Sequence, residues 1–127
     1  GIFNLDTREF RFASGGHTPL VIQKKAGDTE LVDADGMAMG WLDDVDFEET
    51  CLKLEPGDRL YLYSDGVPEA MDPDLNEYGD QRMLELINHG HQQSLDDAVA
   101  GLLASVEKWC NPTGPRDDVS ILALEVK

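Results

Sequence analysis

The chain has 127 residues, of which 41% are hydrophobic, and 26 acidic residues against 10 basic ones give a formal net charge of −16. This length and composition are typical of one globular domain with a core of its own. A strongly acidic surface repels the phosphate backbone of nucleic acids, so we expect no nucleic-acid partner. No apolar run approaches the ~20 residues of a membrane span. The first residues do not resemble a signal peptide, so we expect a cytoplasmic protein or a piece of something larger.

The first half of the chain is predicted to be rich in β-strands. Residues 2–5 and 9–13 flank a turn and are typical of a hairpin, with Phe10 and Phe12 on one face. A second hairpin is predicted around the turn at Ala26-Gly27-Asp28-Thr29. Residues 20–25 and 30–32 flank this second turn, and residues 45–54 are predicted to form a half-exposed strand.

The second half places two helices between two strongly apolar strands. Residues 59–63 are apolar on both faces, and residues 119–126 are a nearly continuous apolar run, so both predict buried, central strands. Helices are predicted after Asp80 and Ser94, which are suitable capping residues. The order of many strands, two helices and one strand predicts a single α+β domain, with helices packed on antiparallel β-sheet.

Carboxylates stand at the ends of the two apolar strands. Asp65 directly follows the first strand and precedes Gly66, while Asp117 and Asp118 open the last one. If these strands are antiparallel neighbours, Asp65 and Asp117 lie at the same rim of the sheet. Carboxylate oxygens there suit a hard cation such as Mg²⁺ or Mn²⁺. Asp117 and Asp118 alternate across the strand, and periodicity alone does not choose which of them faces the site.

The same residues also allow a purely structural interpretation. Ser-Asp-Gly at 64–66 is a good β-turn sequence, and Asp117 suits a turn or a cap. Glu69 is either a second acceptor near the site or a charge at the start of a helix. His17 follows two glycines and has two interpretations. It is either a catalytic acid or metal ligand, or a histidine that bonds backbone in a tight turn, which is the commoner case.

Four segments, at residues 12–20, 54–70, 76–83 and 117–120, follow one another with fitting gaps. They resemble an Ala-Gly-His-x-Pro turn, a central strand ending in Asp-Gly-Val-Thr-Glu-Ala, an acidic and aromatic lead-in to a helix, and a closing Asp-Asp-x-Thr strand. Together they resemble the PPM superfamily of metal-dependent serine/threonine phosphatases, specifically its bacterial SpoIIE/RsbU-like group. The departures are Pro68 and Ser120, each of which replaces a threonine.

The resemblance implies part of an α-β-β-α sandwich in which Asp65 and Asp117 are catalytic residues and metal ligands. Asp118 is then a further ligand or a neighbour of the site. Two Mn²⁺ or Mg²⁺ ions in the complete domain would activate a bridging water for attack on phosphorus. The family carries further aspartates before the His17 turn, and nothing here corresponds to them. We therefore expect residues 1–127 to be the C-terminal portion of the phosphatase domain, with little activity alone.

The resemblance also implies partners. The substrate is expected to be a phosphoserine or phosphothreonine protein of the anti-sigma antagonist type in partner-switching signalling. The parent chain is expected to carry an upstream sensor or receiver domain. A portion without the opening strands is expected to bare apolar sheet and a strand edge, which favours a homodimer. The alternative from another class is a non-catalytic protein-binding module with a degenerate phosphatase fold.

Overall fold

The computed structural model describes residues 1–33, 36–40 and 46–127. The two α-helices in these ranges are α1 (Asp80–His89) and α2 (Leu95–Trp109), and a 3-10 turn at Gly90–Gln92 separates them. None of the helices in these ranges is long and apolar enough to cross a membrane. The strands in the same ranges are β1 (Ile2–Asn4), β2 (Glu9–Phe12), β3 (Leu20–Gln23), β4 (Thr29–Val32), β5 (Thr50–Lys53), β6 (Arg59–Tyr63) and β7 (Ile121–Glu125).

The strands form two antiparallel sheets that pack as layers beneath the helices. One sheet has the order β1-β2-β5 and the other has the order β4-β3-β6-β7. The helices cover the second sheet, where α1 contacts β3 and β4 and α2 contacts β7. This arrangement confirms the predicted α+β fold with antiparallel sheets. The core between helices and sheet is formed by Val21, Tyr61, Tyr63, Met83, Ile87, Leu102 and Val106, and the core between the sheets by Phe10, Phe12, Leu20, Ile22, Leu54 and Leu60.

β6 is the central strand that its sequence predicted. Leu60 and Tyr61 are each 1% exposed and lie on opposite faces, one toward the other sheet and one toward the helices. β6 pairs with β3 through Val21 and Tyr61, and with β7 through Tyr63 and Ile121. Because its neighbours on both sides are antiparallel, the end of β6 and the start of β7 lie at the same rim.

Two sequence-based predictions need correction, and one falls partly outside the described residues. The residues predicted as a buried central strand form β7, which lies at the edge of its sheet in the part of the chain described. Leu122 and Leu124 are 57% and 43% exposed because β7 lies at the sheet edge, where the other described sheet covers this face only in part. The cap of α1 is Gly79 rather than Asp80, and no side chain caps the helix. Of the strand predicted at 45–54, Thr50–Lys53 is confirmed as β5, while Val45 lies outside the described residues.

Self-association is expected to depend on the exposed face of β7. An edge strand that carries exposed leucines favours pairing with another copy, so light scattering should show dimers at high concentration. Replacing Leu122 and Leu124 together by lysine should restore a monomer, because like charges would then meet across the interface. Leu75→Lys is the matched control, since Leu75 is 60% exposed in a loop. A wild-type chain that stays monomeric at high concentration contradicts this prediction.

A buried carboxylate holds the turn that leads into β6. Asp58 is 3% exposed. Its carboxylate accepts hydrogen bonds from the backbone N–H groups of Glu55 (3.0 Å) and Lys25 (3.1 Å) and from Lys24 Nζ (3.0 Å). Burial disfavours the charged form, but the hydrogen bonds from Glu55, Lys24 and Lys25 outweigh it and lower the pKa of Asp58 below its ordinary value.

The lowered pKa of Asp58 predicts a loss of stability in acid. The unfolded chain binds this proton more readily, so the stabilisation is present above about pH 4 and lost as the pH falls through the folded pKa. We expect Asp58→Asn to cost about 1–2 kcal/mol at pH 7, and the difference from wild type to shrink toward pH 3. Urea unfolding at several pH values measures this. Asp28→Asn, at an exposed carboxylate, should leave the pH profile unchanged; equal pH dependence in both variants would contradict the role of Asp58.

Candidate functional site

The ends of β6 and β7 are joined at one rim of the four-stranded sheet. Tyr63 and Ile121 are the last paired residues of the two strands. One step further, Ser64 N–H donates to the Ser120 carbonyl at 3.0 Å. β6 and β7 are therefore antiparallel neighbours, which is the condition that the sequence analysis set for a shared rim. This pairing brings the backbone that follows Tyr63 beside the backbone that precedes Ile121.

Ser64 adds two side-chain hydrogen bonds across the rim. Its Oγ donates to the Asp118 carbonyl at 2.7 Å and accepts from Ser120 N–H at 3.0 Å. The hydroxyl therefore connects the end of β6 to the segment in front of β7, where regular strand pairing has stopped.

Gly66 allows the closest backbone approach at this rim. A Cβ built on Gly66 would stand 2.5 Å from the Asp118 carbonyl oxygen and 3.0 Å from its carbon. Real Cβ atoms do not approach backbone so closely, so the position requires glycine. The Gly66 backbone therefore lies directly against the backbone of Asp118.

The turn around Asp65 is well ordered by its own hydrogen bonds. Val67 N–H donates to the Ser64 carbonyl at 3.0 Å, and Glu69 N–H donates to the Asp65 carbonyl at 2.9 Å. Val67 is completely buried and anchors the turn in the core, whereas the Asp65 side chain is exposed. The β-turn interpretation is thus correct as local structure. It is compatible with a functional carboxylate, because the turn presents Asp65 to solvent.

The carboxylates on the opposing segment are also exposed. Asp117 Oδ1 accepts the Asp118 N–H at 2.7 Å, which fixes the peptide between these residues. A cleft beside Gly66 is lined by Asp117, Arg116 and Glu69, together with Ala70 and Met71. Over residues 1–33, 36–40 and 46–127, no cluster of three or more His, Cys, Asp or Glu side chains is placed to hold a metal ion. The structure brings the two acidic segments together through their backbones.

The His17 turn is attached to the same rim. Thr18 Oγ1 donates to the Tyr63 carbonyl at 2.6 Å, at the last residue of β6. His17 Nδ1 bonds the Thr18 carbonyl at 3.0 Å, as expected for a histidine that fixes a tight turn. The His17 side chain is exposed and lines a shallow cleft of about 260 Å³ with Ser64 and Ser120.

Sequence reasoning did not identify the roles of Ser64 and Thr18, nor the place of Arg116 in the cleft beside Gly66. Ser64 and Thr18 act through contacts with residues 54 and 45 positions away in the chain. The available signal was proximity to the motifs, since Ser64 directly precedes Asp65 and Arg116 directly precedes Asp117. Proximity alone does not predict which hydroxyl bonds the opposite segment.

Comparison with known proteins identifies the family of this chain and several relatives. The family model described as Stage II sporulation protein E (SpoIIE) matches residues 1–127. Phosphoserine phosphatase RsbU of Bacillus subtilis (strain 168) is 35% identical over 69 residues, which cover 54% of this chain and 21% of RsbU. Phosphoserine phosphatase RsbP of the same organism is 26% identical over 116 residues, which cover 91% of this chain and 27% of RsbP.

A solved structure extends the similarity to the fold. The phosphatase domain of the cell fate determinant SpoIIE from Bacillus subtilis, presoaked with manganese, superposes with a TM-score of 0.77 at 20% identity. The superposition covers 99% of this chain and 54% of that domain, so this chain spans about half of the solved domain. At 20% identity this similarity establishes the fold alone. The family relationship rests on the family model, which matches residues 1–127. The chain belongs to the SpoIIE family.

Proposed function

We propose that the rim of β6 and β7 is one part of a two-metal phosphatase site. In this proposal Asp65 and Asp117 are catalytic residues and metal ligands, and Asp118 is a neighbour or a further ligand. The observation that carries it is the contact of the Gly66 backbone with the Asp118 carbonyl, which places two exposed acidic segments side by side.

The chemistry of these residues fits Mn²⁺ or Mg²⁺. Both ions prefer oxygen ligands, and the rim offers carboxylates on two segments held by backbone hydrogen bonds. When bound, the ions supply a water of lowered pKa and stabilise the leaving oxygen. Asp65 and Asp117 would hold and orient the ions, since each stands on a segment fixed at the end of a strand.

The carboxylates that the structure describes at the rim of β6 and β7 are too few to complete such a site. The part of the chain described contains no cluster of three acidic or other ligating side chains. Cations held by one or two carboxylates bind weakly without substrate phosphates, so we expect affinity on the order of millimolar. Residues 1–127 are therefore proposed to be the C-terminal portion of a phosphatase domain, completed by acidic residues from an upstream portion.

The substrate proposed is a phosphoserine or phosphothreonine residue on a regulatory protein. RsbU and RsbP carry the name phosphoserine phosphatase, which supports this class of substrate. A partner of the anti-sigma antagonist type and an upstream sensor or receiver domain follow from the family resemblance. The alternative of a non-catalytic binding module predicts binding of the same partner without turnover.

Phosphatase assays on two lengths of the protein test this proposal. A longer form that includes the upstream portion should release phosphate from a phosphoserine protein when Mn²⁺ is added, and EDTA should stop the reaction. The 127-residue chain should show little activity under the same conditions. Turnover that persists in EDTA would contradict the metal mechanism. Full activity of the short chain would contradict the need for upstream ligands.

A further inference from the structure

We propose that Ser64 is a positioning residue, whose hydroxyl holds the Asp117-Asp118 segment in register with Asp65. This inference rests on the proposed function, because it assigns Ser64 a role toward the metal ligands of that site. Ser64 itself is not proposed to touch metal or substrate.

Ser64 forms three of the hydrogen bonds that cross the rim. Its N–H bonds the Ser120 carbonyl, and its Oγ bonds both the Asp118 carbonyl and Ser120 N–H, all at 2.7–3.0 Å. The two side-chain bonds lie beyond Tyr63 and Ile121, where the ladder between β6 and β7 ends. The hydroxyl thus extends the connection between strands up to the residue that follows Asp117.

A hydroxyl suits this position because it donates and accepts at the same time. Serine has one O–H donor and two acceptor lone pairs, so it can bond a carbonyl and an N–H together. Alanine can do neither, whereas threonine carries the same hydroxyl. The residue type at position 64 therefore determines whether Asp118 and Ser120 have this partner.

The Asp118 carbonyl is held from two sides. Ser64 Oγ bonds it at 2.7 Å, and Gly66 packs so closely that a Cβ there would be 2.5 Å away. The Asp118 N–H in turn bonds Asp117 Oδ1. Removing the hydroxyl would leave the Asp118 carbonyl without this donor, and we expect the Asp117-Asp118 segment to shift.

Small displacements of ligands matter for metal binding. Ligands need to be held within about 0.5 Å of their working geometry, and loss of a group that orients them costs about 10–100-fold in metal affinity. We therefore expect Ser64→Ala to weaken Mn²⁺ binding by about 10-fold or more. Ser64→Thr should keep affinity close to that of the wild type.

The test is a titration of the 127-residue chain with Mn²⁺, in which electron paramagnetic resonance measures the free Mn²⁺. The titration extends to about 10 mM, because weak sites saturate in the millimolar range. Ser94→Ala is the control. Ser94 caps α2 by accepting Asp97 N–H at 3.1 Å, so its loss lowers stability away from the rim. If Ser64 acts by positioning, Ser64→Ala weakens binding while Ser64→Thr and Ser94→Ala do not. Amide hydrogen exchange at Ser120 should also quicken in Ser64→Ala alone.

The outcomes separate this inference from the proposed function. Wild-type chain that binds no Mn²⁺ would overturn the metal site itself. Equal Mn²⁺ affinity in the wild-type chain and in Ser64→Ala would overturn the positioning role but would not contradict the metal site. If Ser64→Ala does not fold, Ser64→Cys replaces it, because a thiol is a weak donor and a weak acceptor. Unchanged affinity in Ser64→Cys would then count against the inference.

Discussion

Replacing Arg59 with alanine is expected to lower the free energy of unfolding by about 3 kcal/mol. Arg59 is 5% exposed and is the first residue of β6, a central strand of its sheet. Its Nε donates to Glu125 Oε2 at 2.9 Å on β7, and its other nitrogens donate to the carbonyls of Gly90 (3.2 Å) and Gln93 (2.7 Å). One side chain therefore joins β6, β7 and the connection between the two helices.

The size of this effect follows from what the truncation leaves behind. Removing one partner of a buried pair leaves the other without compensation, which costs more than the pair contributes. The side chain of Glu125 is 27% exposed, so water offsets part of the loss and the lower end of the range applies. Lysine should not rescue the variant, because a single ammonium cannot reproduce the planar fork that reaches three acceptors.

Urea unfolding measures this prediction, and Arg8→Ala is the matched control. Arg8 forms an exposed ion pair with Glu55 at 3.8 Å, with side chains 42% and 68% exposed. Exposed pairs contribute about 0–1 kcal/mol, so the control should unfold almost like wild type. A loss below about 1 kcal/mol in Arg59→Ala would show that the buried network is not a main source of stability.

Much of this fold could be predicted because hydrophobic periodicity reports burial locally. Apolar residues on both faces of residues 59–63 predicted a central strand, and β6 has this position. The Ser94 cap of α2 was likewise visible in the sequence. Periodicity did not show that Leu122 and Leu124 lie partly exposed, because the same apolar pattern occurs whether another element covers that face fully or only in part. The network of Arg59 was equally hidden, since its carbonyl acceptors lie 31 and 34 residues away.

Of the candidate site, the sequence allowed a prediction only of how the backbones of the two acidic segments lie side by side. Antiparallel neighbours necessarily bring the end of one strand to the start of the other, which placed Asp65 near Asp117 and Asp118. The details that fix this contact were not predictable. The absence of a side chain at Gly66 and the hydroxyl of Ser64 both act on Asp118, more than 50 residues away. Local sequence does not encode which distant group a small residue will meet.

Asp65→Asn in the longer form of the protein is expected to reduce Mn²⁺-dependent phosphate release by at least about 100-fold. The substitution keeps the size of the side chain but removes the negative charge that a divalent cation requires. The turn should persist, because its hydrogen bonds at Ser64, Val67 and Glu69 involve backbone groups. The loss should therefore reflect metal binding and not unfolding, and circular dichroism should be unchanged.

This variant also separates the enzyme from the binding-module alternative. An enzyme that loses a metal ligand should still bind its phosphorylated partner, so retained binding with lost turnover supports catalysis at Asp65. A binding module should show no Mn²⁺-dependent turnover before the substitution either. Asp74→Asn is the matched control, since it removes one exposed charge from the loop after the site. Equal turnover in Asp65→Asn and Asp74→Asn would mean that the carboxylate at the end of β6 does not hold the metal, and the rim could not be the phosphatase site.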